Sequence, residues 1–255
     1  MTTYTLVQAD TTAPTVDQLK RAFTFTDCLR DADAAKLAHE ARGILLRNLT
    51  YDNAYRVQCA LKEDGVATEI VEPQALPPLP ESKLTRRLEF SDAALLVFDV
   101  LGRAAPVEWS QLAVIAAGAV GHFEVSVTHT EERVIGFSPT RGLHPKTVVE
   151  TQHVLETQRQ LLLDILVTGG DRRFQIEAKG FLFGYCFNRP ELSLEERFTL
   201  LVQILVERAP QAIRNQGTAV LAGGAPVAEY ASKGTLNDEL VWLLWRKGRE
   251  VHGQV

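Results

Sequence analysis

Four of the six histidines of the chain lie close together in the sequence, at His122, His129, His144 and His153. Neutral imidazoles are good zinc ligands, so a metal centre is the first chemistry that this group suggests. Their spacings do not place two imidazoles on one face of a helix, however, and the neighbouring carboxylates follow no fixed offset. Strand or loop positions explain these histidines as well, and we predict no metal site.

The motifs of nucleophilic and nucleotide-dependent catalysis are absent from the sequence. There is no G-x-S-x-G nucleophile elbow and no G-x-x-x-x-G-K-[ST] phosphate loop. The glycines of residues 217–224 come without a lysine, and helix caps and a loop explain them. Arg172 and Arg173 follow a Gly-Gly-Asp turn that could bind an anion, although a solvated hairpin tip is the favoured interpretation. We therefore assign no catalytic residue and no cofactor.

The charge balance argues against polyanionic partners. The chain has 255 residues, with 27 Lys and Arg against 32 Asp and Glu, and a formal net charge of −5. We expect no nucleic-acid partner and no membrane partner, because the longest apolar run, Leu112 to Val120, is about half a membrane span. The N-terminus lacks a secretory signal pattern. Three widely spaced cysteines, Cys28, Cys59 and Cys186, favour a reducing cytoplasm.

A proline-rich segment divides the chain. The run P-Q-A-L-P-P-L-P after Glu72 contains four prolines, which favours extended polyproline II over a helix or a central strand. We predict a semi-rigid linker at residues 73–85, between a small domain at 1–72 and a larger domain at 86–250. The same run contains a P-x-x-P pattern, so an SH3-type ligand is an alternative.

Residues 1–72 have the hydrophobic spacing of a small module with the order β-α-α-β-α-β. Thr15 and Thr50 are the expected N-caps of two helices, and Gly43 and Gly65 are expected to end helices. The apolar runs predict strands at residues 4–7, 44–46 and 66–71.

Several motifs of this module resemble the C-terminal domain of the bacterial ribosomal stalk protein. They are Leu29-Arg30-Asp31-Ala32-Asp33, Thr50-Tyr51-Asp52-Asn53-Ala54 and the segment from Ala60 to Ile70. The resemblance implies a small α/β fold and docking of a protein through the two-helix hairpin. The candidate binding residues on this hairpin are Lys20, Arg21, Arg30 and Asp33. Asp33 stands where that family has a lysine, and residues 24–28 replace its glycine-rich turn.

Strand patterns dominate after the linker. Hairpins are predicted at residues 94–109 and 161–178. Strands are predicted at 112–115 and 123–127, and the first of these could also be a short helix that ends at Gly118. The strict alternation of aromatic residues from Phe181 to Phe187 predicts one more strand.

Two helices are expected near the C-terminus. Ser193 and Glu196 form a capping box that opens an amphipathic helix ending before Pro210. A second helix begins at Thr235, and its Trp242 and Trp245 are expected to pack in the core or at a domain interface.

The arrangement of residues 86–208 resembles a pleckstrin-homology-like domain in architecture. We therefore expect an α+β fold, in which the small module precedes a mainly antiparallel, β barrel-like domain capped by C-terminal helices.

Two functions are compatible with these patterns. The first is a cytoplasmic, non-enzymatic interaction or adaptor protein that binds other proteins, with a homo-oligomer also possible. The alternative is an enzyme of unrecognised type with its pocket in residues 86–250, built from the histidine group and the region of Glu177 and Arg172. An enzyme should bring a histidine and a carboxylate together in a concave pocket, so such a convergence would distinguish the two.

Overall fold

The computed structural model describes the backbone of residues 2–26, 29–138, 142–169 and 171–251, and the side chains of these ranges apart from 122–158 and 251. Helices and antiparallel sheets both build the fold, which confirms the predicted α+β class. The chain forms two compact units, one of Met1–Val120 with Gln160–Val255 and one of Gly121–Arg159. In the described ranges, no helix combines the length and the apolar character needed to cross a membrane.

The predicted element order of the N-terminal module is confirmed. Its elements are β1 (Tyr4–Gln8), α1 (Val16–Phe23), α2 (Asp31–Glu40), β2 (Ile44–Leu49), α3 (Tyr51–Glu63) and β3 (Thr68–Val71). β1 is the central strand of an antiparallel sheet, between β2 and β3. The three helices bury their apolar residues against this sheet, and the main contributors are Leu6, Leu19, Phe23, Ala34, Leu45, Val57 and Leu61.

Local capping explains where these helices begin and end. The Thr15 hydroxyl accepts a hydrogen bond from the Gln18 amide at 3.3 Å, and the Gln18 side chain accepts one from the Thr15 amide at 2.8 Å. This reciprocal pair is a capping box. The hydroxyl of Thr50 caps α3 in the same way, by accepting from the Asn53 amide. Gly65 follows α3 with φ +78°, a left-handed conformation that favours glycine.

In the described residues, seven strands lie between the module and the C-terminal helices. They are β4 (Ser82–Leu84), β5 (Leu88–Phe90), β6 (Ala94–Phe98), β7 (Ala104–Glu108), β8 (Leu112–Ser138), β9 (Gly142–Val167) and β10 (Arg173–Glu177). The strands β5, β6 and β7 form a small sheet, while β8, β9 and β10 are neighbours in a larger one with β4 parallel to β10. Both predicted hairpins are confirmed, since β6 pairs antiparallel with β7 and β9 with β10.

One long strand, β8, replaces the two separate strands that the sequence predicts. Residues 112–115 and 123–127 both belong to it, so the alternative of a short helix is wrong. Every residue from Leu112 to Val120 is buried. A strand that is covered on both faces has a continuous apolar run without alternation. The hydrophobic pattern of residues 112–120 therefore did not distinguish a strand from a short helix.

The unit Gly121–Arg159 is formed by the continuation of β8 and of β9. The side chains of His122, His129, His144 and His153 all fall outside the described residues.

The C-terminal part adds α4 (Leu194–Arg208), α5 (Gln216–Ala222) and α6 (Lys233–Val251). Two short strands, β11 (Ile213–Arg214) and β12 (Glu229–Tyr230), pair parallel with β8. The predicted capping box is confirmed, because the Glu196 carboxylate accepts from the Ser193 amide at 2.8 Å and the Ser193 hydroxyl from the Glu196 amide. The stripe Phe198, Leu201, Val202 and Leu205 of α4 packs into the largest core cluster.

The prediction of a strand from Phe181 to Phe187 is wrong. Phe183–Tyr185 is a 3-10 turn, closed by a hydrogen bond from the Cys186 amide to the Phe183 carbonyl at 2.9 Å. Phe181 and Phe183 are buried, and their rings meet edge to face at 4.8 Å. The aromatic rings are anchored in the core by a turn, which satisfies its backbone groups locally and needs no partner strand.

The proline-rich segment at 73–85 contacts the folded core at several points. Pro73–Ala75 forms a 3-10 turn, Leu76 is buried, and Leu79 packs against the cluster that contains Leu240. Ser82–Leu84 then joins the larger sheet as β4. The segment is therefore anchored rather than extended, while the domain boundaries at 1–72 and 86–250 stay a prediction.

The packing role expected of the two C-terminal tryptophans is confirmed. Trp242 and Trp245 of α6 are buried in a cluster with Val7, Ile44, Val71 and Leu76. The indole N–H of Trp242 also donates to the carbonyl of Gln8 at 2.7 Å. Because α6 packs in this way against residues of all three strands of the module's sheet, it joins the N-terminal module to the rest of the fold.

Candidate functional site

The predicted docking hairpin carries charges that are partly used within the module. Arg21 lies on α1 and binds the carboxylate of Asp64 through its Nε and Nη2 atoms, at 3.1 and 2.9 Å. Both side chains are at the surface, so this ion pair contributes little to stability. It does hold the guanidinium in place and neutralises its charge.

The other predicted binding residues lie in the last turn of α1 and at the start of α2. Asp33 accepts a hydrogen bond from the backbone amide of Arg30 at 2.9 Å, which fixes the start of α2. Lys20 is half-buried and the Arg30 side chain is exposed. Asp27, which the sequence places beside them, lies outside the described residues. The structure therefore leaves Lys20 and Arg30 as the hairpin cations without an ion pair in the described part of the chain.

A group of exposed aromatic residues lies on the adjacent helix and on the turn after α1. We call Phe25, Tyr51 and Tyr55 the aromatic surface. Their exposed fractions are 55%, 53% and 52%. The rings of Tyr51 and Tyr55 are stacked with centroids 6.2 Å apart, and Tyr4 contacts Tyr51 edge to face at 5.3 Å. Sequence reasoning missed this surface, although Tyr51 and Tyr55 have the i, i+4 spacing that puts two residues on one helix face.

A shallow groove of about 190 Å³ runs beside the aromatic surface, and it is lined by Phe25, Tyr55, Arg56, Cys59, Ala60 and Glu63. Arg56 donates to the carbonyl of Phe25 at 3.5 Å, so the turn after α1 is tied to α3. A hydrogen bond with Cys59 is the main cause that raises the pKa of Tyr55. The phenol is therefore a neutral donor and acceptor at physiological pH.

A buried polar network links β8, α5, β12 and α6. Asn215 accepts from the Ala117 amide at 3.0 Å and donates to the Ala117 carbonyl at 3.0 Å, in place of a strand neighbour. Thr218 accepts from the same amide at 2.9 Å. Residues 217–224 were predicted to be helix caps and a loop, but residues 216–222 form α5. The signal for this helix was Asn215, an N-cap residue that precedes apolar residues.

Glu239 of α6 closes this network. Its carboxylate accepts from the Gln216 amide at 2.9 Å, from the Tyr230 hydroxyl at 2.5 Å and from the Asn215 amide group at 3.3 Å. Burial, and then the charge of Glu239, raise the pKa of Tyr230 far above its usual value. The tyrosine therefore keeps its proton and remains a donor to the carboxylate.

The turn that holds Arg172 and Arg173 does not present two solvated arginines. Arg173 is buried and paired with Asp164 at 2.8 Å, and Gln175 also donates to that carboxylate at 3.1 Å. Arg173 further donates to Asn237 of α6 at 2.6 Å. The expectation of a solvated hairpin tip is thus wrong for Arg173, since this side chain anchors α6 on the sheet.

The residues named for the enzyme alternative lie at opposite ends of β10 or outside the described side chains. Glu177 and Arg172 are half-buried near β10, but the histidine group lies outside the described side chains. Within the described residues, no cluster of three or more His, Cys, Asp and Glu side chains is placed to hold a metal ion.

Comparison of the chain with protein-family models, with curated proteins and with solved structures finds no match in any of the three. The resemblances of residues 1–72 and 86–208 accordingly stay predictions.

Proposed function

We propose that this chain is a cytoplasmic, non-enzymatic interaction protein, and that a partner protein docks on the aromatic surface of its N-terminal module. The observation that carries the proposal is the exposure of Phe25, Tyr51 and Tyr55, each by more than half, beside a groove. Aromatic side chains are enriched among the residues that dominate binding energy in protein interfaces.

The packing of α3 supports a role for these rings outside the fold. The helix buries Ala54, Val57 and Leu61 against the sheet of the module. Tyr51 and Tyr55 lie on another face of the same helix and remain exposed. Because the core does not use these two rings, their large apolar area is available to a partner.

The charges near the groove indicate how binding should depend on salt. Arg56 and Glu63 both line the groove, and Arg21 is already paired with Asp64. A surface with both signs of charge gives weak long-range steering, so partner binding should fall only modestly as ionic strength rises.

The test uses the full chain, immobilised, and an extract of the cells in which it is expressed. The variant Tyr51→Ser with Tyr55→Ser removes the stacked rings. The matched control, Val100→Ser with Leu101→Ser, removes two other exposed apolar residues, at the tip of the β6–β7 hairpin, where they are 94% and 72% exposed. Captured proteins are quantified by mass spectrometry.

We expect at least one protein to be captured by the wild type and by the control, and to be lost about tenfold or more with the double tyrosine variant, since interface hot spots each contribute about 2 kcal/mol. A third variant, Lys20→Glu with Arg30→Glu, reports whether the hairpin cations contribute to the same contact. Equal recovery of every protein by wild type and tyrosine variant would refute the proposal.

A further inference from the structure

A second concave site lies away from the aromatic surface, where β1, the end of α2, α5 and α6 meet. Its volume is about 350 Å³, which is within the range of small-molecule sites, roughly 300–1,000 Å³. Its inner wall is formed by buried residues, among them Gln8, Gly43, Asn215, Glu239 and Trp242. Its rim carries exposed residues, so the cavity is accessible from solvent.

Arg42, just after α2, lacks the acceptors that a guanidinium group normally has. It lines the cavity, and its Nε atom is buried without a hydrogen-bond partner. Within the described part of the chain, its Nη1 atom donates to the carbonyl of Ala41 at the long distance of 3.5 Å. A buried N–H of a cation without an acceptor is costly. The described residues supply this guanidinium with one acceptor at long distance, so its other N–H groups keep hydrogen-bonding capacity for a ligand.

The charges that line the cavity do not balance. Arg214 of β11 is a second arginine among the lining residues, and Glu239 is the single acidic residue among them. Three hydrogen bonds already hold that carboxylate, from Gln216, Tyr230 and Asn215. Two arginines against one glutamate leave an excess of one positive charge, which a ligand with one negative charge would neutralise.

Part of the remaining wall is apolar, while Gln8, Thr11, Asn215 and Gln216 are polar. The indole of Trp242, held by its hydrogen bond to Gln8, lies beside Leu243, Ala13, Ala41 and Ala219. An indole side chain and cationic side chains that line the same cavity suit a molecule with one anionic end and a compact apolar body. A carboxylate fits the planar fork of an arginine with two parallel hydrogen bonds.

We propose that this cavity binds a small monocarboxylate, with Arg42 and Arg214 binding the carboxylate group and Trp242 contacting the apolar body. The site is independent of the protein docking proposed above, because it uses none of the residues of the aromatic surface.

The test titrates the full chain with acetate, butyrate, benzoate and indole-3-carboxylate, and with the neutral primary amide of each, by isothermal titration calorimetry. Inorganic phosphate serves as a compact anion without an apolar body. The variants are Arg42→Gln and Arg214→Gln, and the control is Arg189→Gln, an exposed arginine outside the cavity. Urea unfolding of each variant checks that it is folded, and Arg214→Gln, at an exposed position, keeps the test valid if Arg42→Gln is unstable.

We expect at least one of the larger carboxylates to bind and its amide to bind at least about tenfold more weakly. Each cavity variant should bind that carboxylate about ten- to a hundredfold more weakly than the wild type, since charge-assisted hydrogen bonds contribute about 1.5–3 kcal/mol. The Arg189→Gln control should bind it with the affinity of the wild type. The proposal is overturned if no carboxylate binds, if acids and amides bind equally, if both cavity variants bind as the wild type, or if phosphate binds more tightly than every carboxylate.

Discussion

Gly43 lies directly against the indole ring of Trp242, and this close approach makes Gly43→Ala an informative substitution. A Cβ atom at residue 43 would lie 2.2 Å from both Cγ and Cδ2 of Trp242, whereas carbon atoms prefer a separation of about 3.5–4.0 Å. Gly43 also has φ +83°, a conformation that L side chains rarely adopt. The substitution therefore carries two penalties, backbone strain and displacement of the indole.

Gly65 separates these two penalties. Its φ is +78°, but nothing lies within 4 Å of a Cβ placed there, so Gly65→Ala meets only the backbone cost of about 1–2 kcal/mol. At residue 43 the ring must also move, which breaks the 2.7 Å hydrogen bond to Gln8, worth about 1 kcal/mol. Loss of a buried tryptophan's packing costs about 3–5 kcal/mol when it is complete. We expect Gly43→Ala to lower the free energy of unfolding by about 3–6 kcal/mol.

Urea unfolding, followed by circular dichroism, measures this difference. The set comprises wild type, Gly43→Ala, Gly65→Ala, Trp242→Ala and the double variant of Gly43 and Trp242. In the double variant the ring is absent, so Gly43→Ala should then cost no more than Gly65→Ala does in the wild type. If Gly43→Ala costs as little as Gly65→Ala when the indole is present, the reasoning is refuted.

Three further results are expected. Asp164→Asn should destabilise the fold by about 3–5 kcal/mol in urea unfolding, because it leaves the buried Arg173 without its counter-charge. Asp99→Asn, which removes one charge of an exposed pair, should cost far less. Similar costs for the two substitutions would contradict this. Burial raises the pKa of Cys186 to about 12, so iodoacetamide should alkylate this thiol only slowly in the folded protein at pH 8. The contribution of the protonated thiol to stability is complete below the ordinary thiol pKa near 9 and should fall as the pH rises from there towards 12. Rapid alkylation of the folded protein would contradict this. Limited proteolysis should not cut within residues 73–85 before other loops, because Leu76 is buried and Ser82–Leu84 is a strand; early release of two folded fragments would show the opposite.

Local patterns in the sequence were sufficient to place most of the helices and hairpins. Thr15 and Ser193 cap helices by contacts with residues three positions later, so the residue types and their spacing predict the helix starts. The same holds for the hairpins, whose turns lie between two apolar runs. In these cases the interacting groups are near neighbours in the chain, and the sequence contains the whole interaction.

Charge patterns on the N-terminal hairpin were less informative. Arg21 and Asp33 have the residue types of a docking face, and their binding role stays a prediction. Arg21 contacts Asp64, which follows another helix, and Asp33 contacts the amide of Arg30. An exposed charge has the same appearance in the sequence whether it caps a helix, pairs across the fold or meets a partner.

The sequence by itself determined the α+β class, the order of the N-terminal elements and the capped ends of the helices, because these depend on local spacing. Only the tertiary structure decided that β8 is one strand, that the aromatic run at 181–187 forms a turn, and that α6 joins the module to the sheet. It alone placed Arg42 beside Arg214 and Trp242, residues far apart in the chain. Such contacts depend on how distant segments pack, and periodicity along the chain carries no information about them.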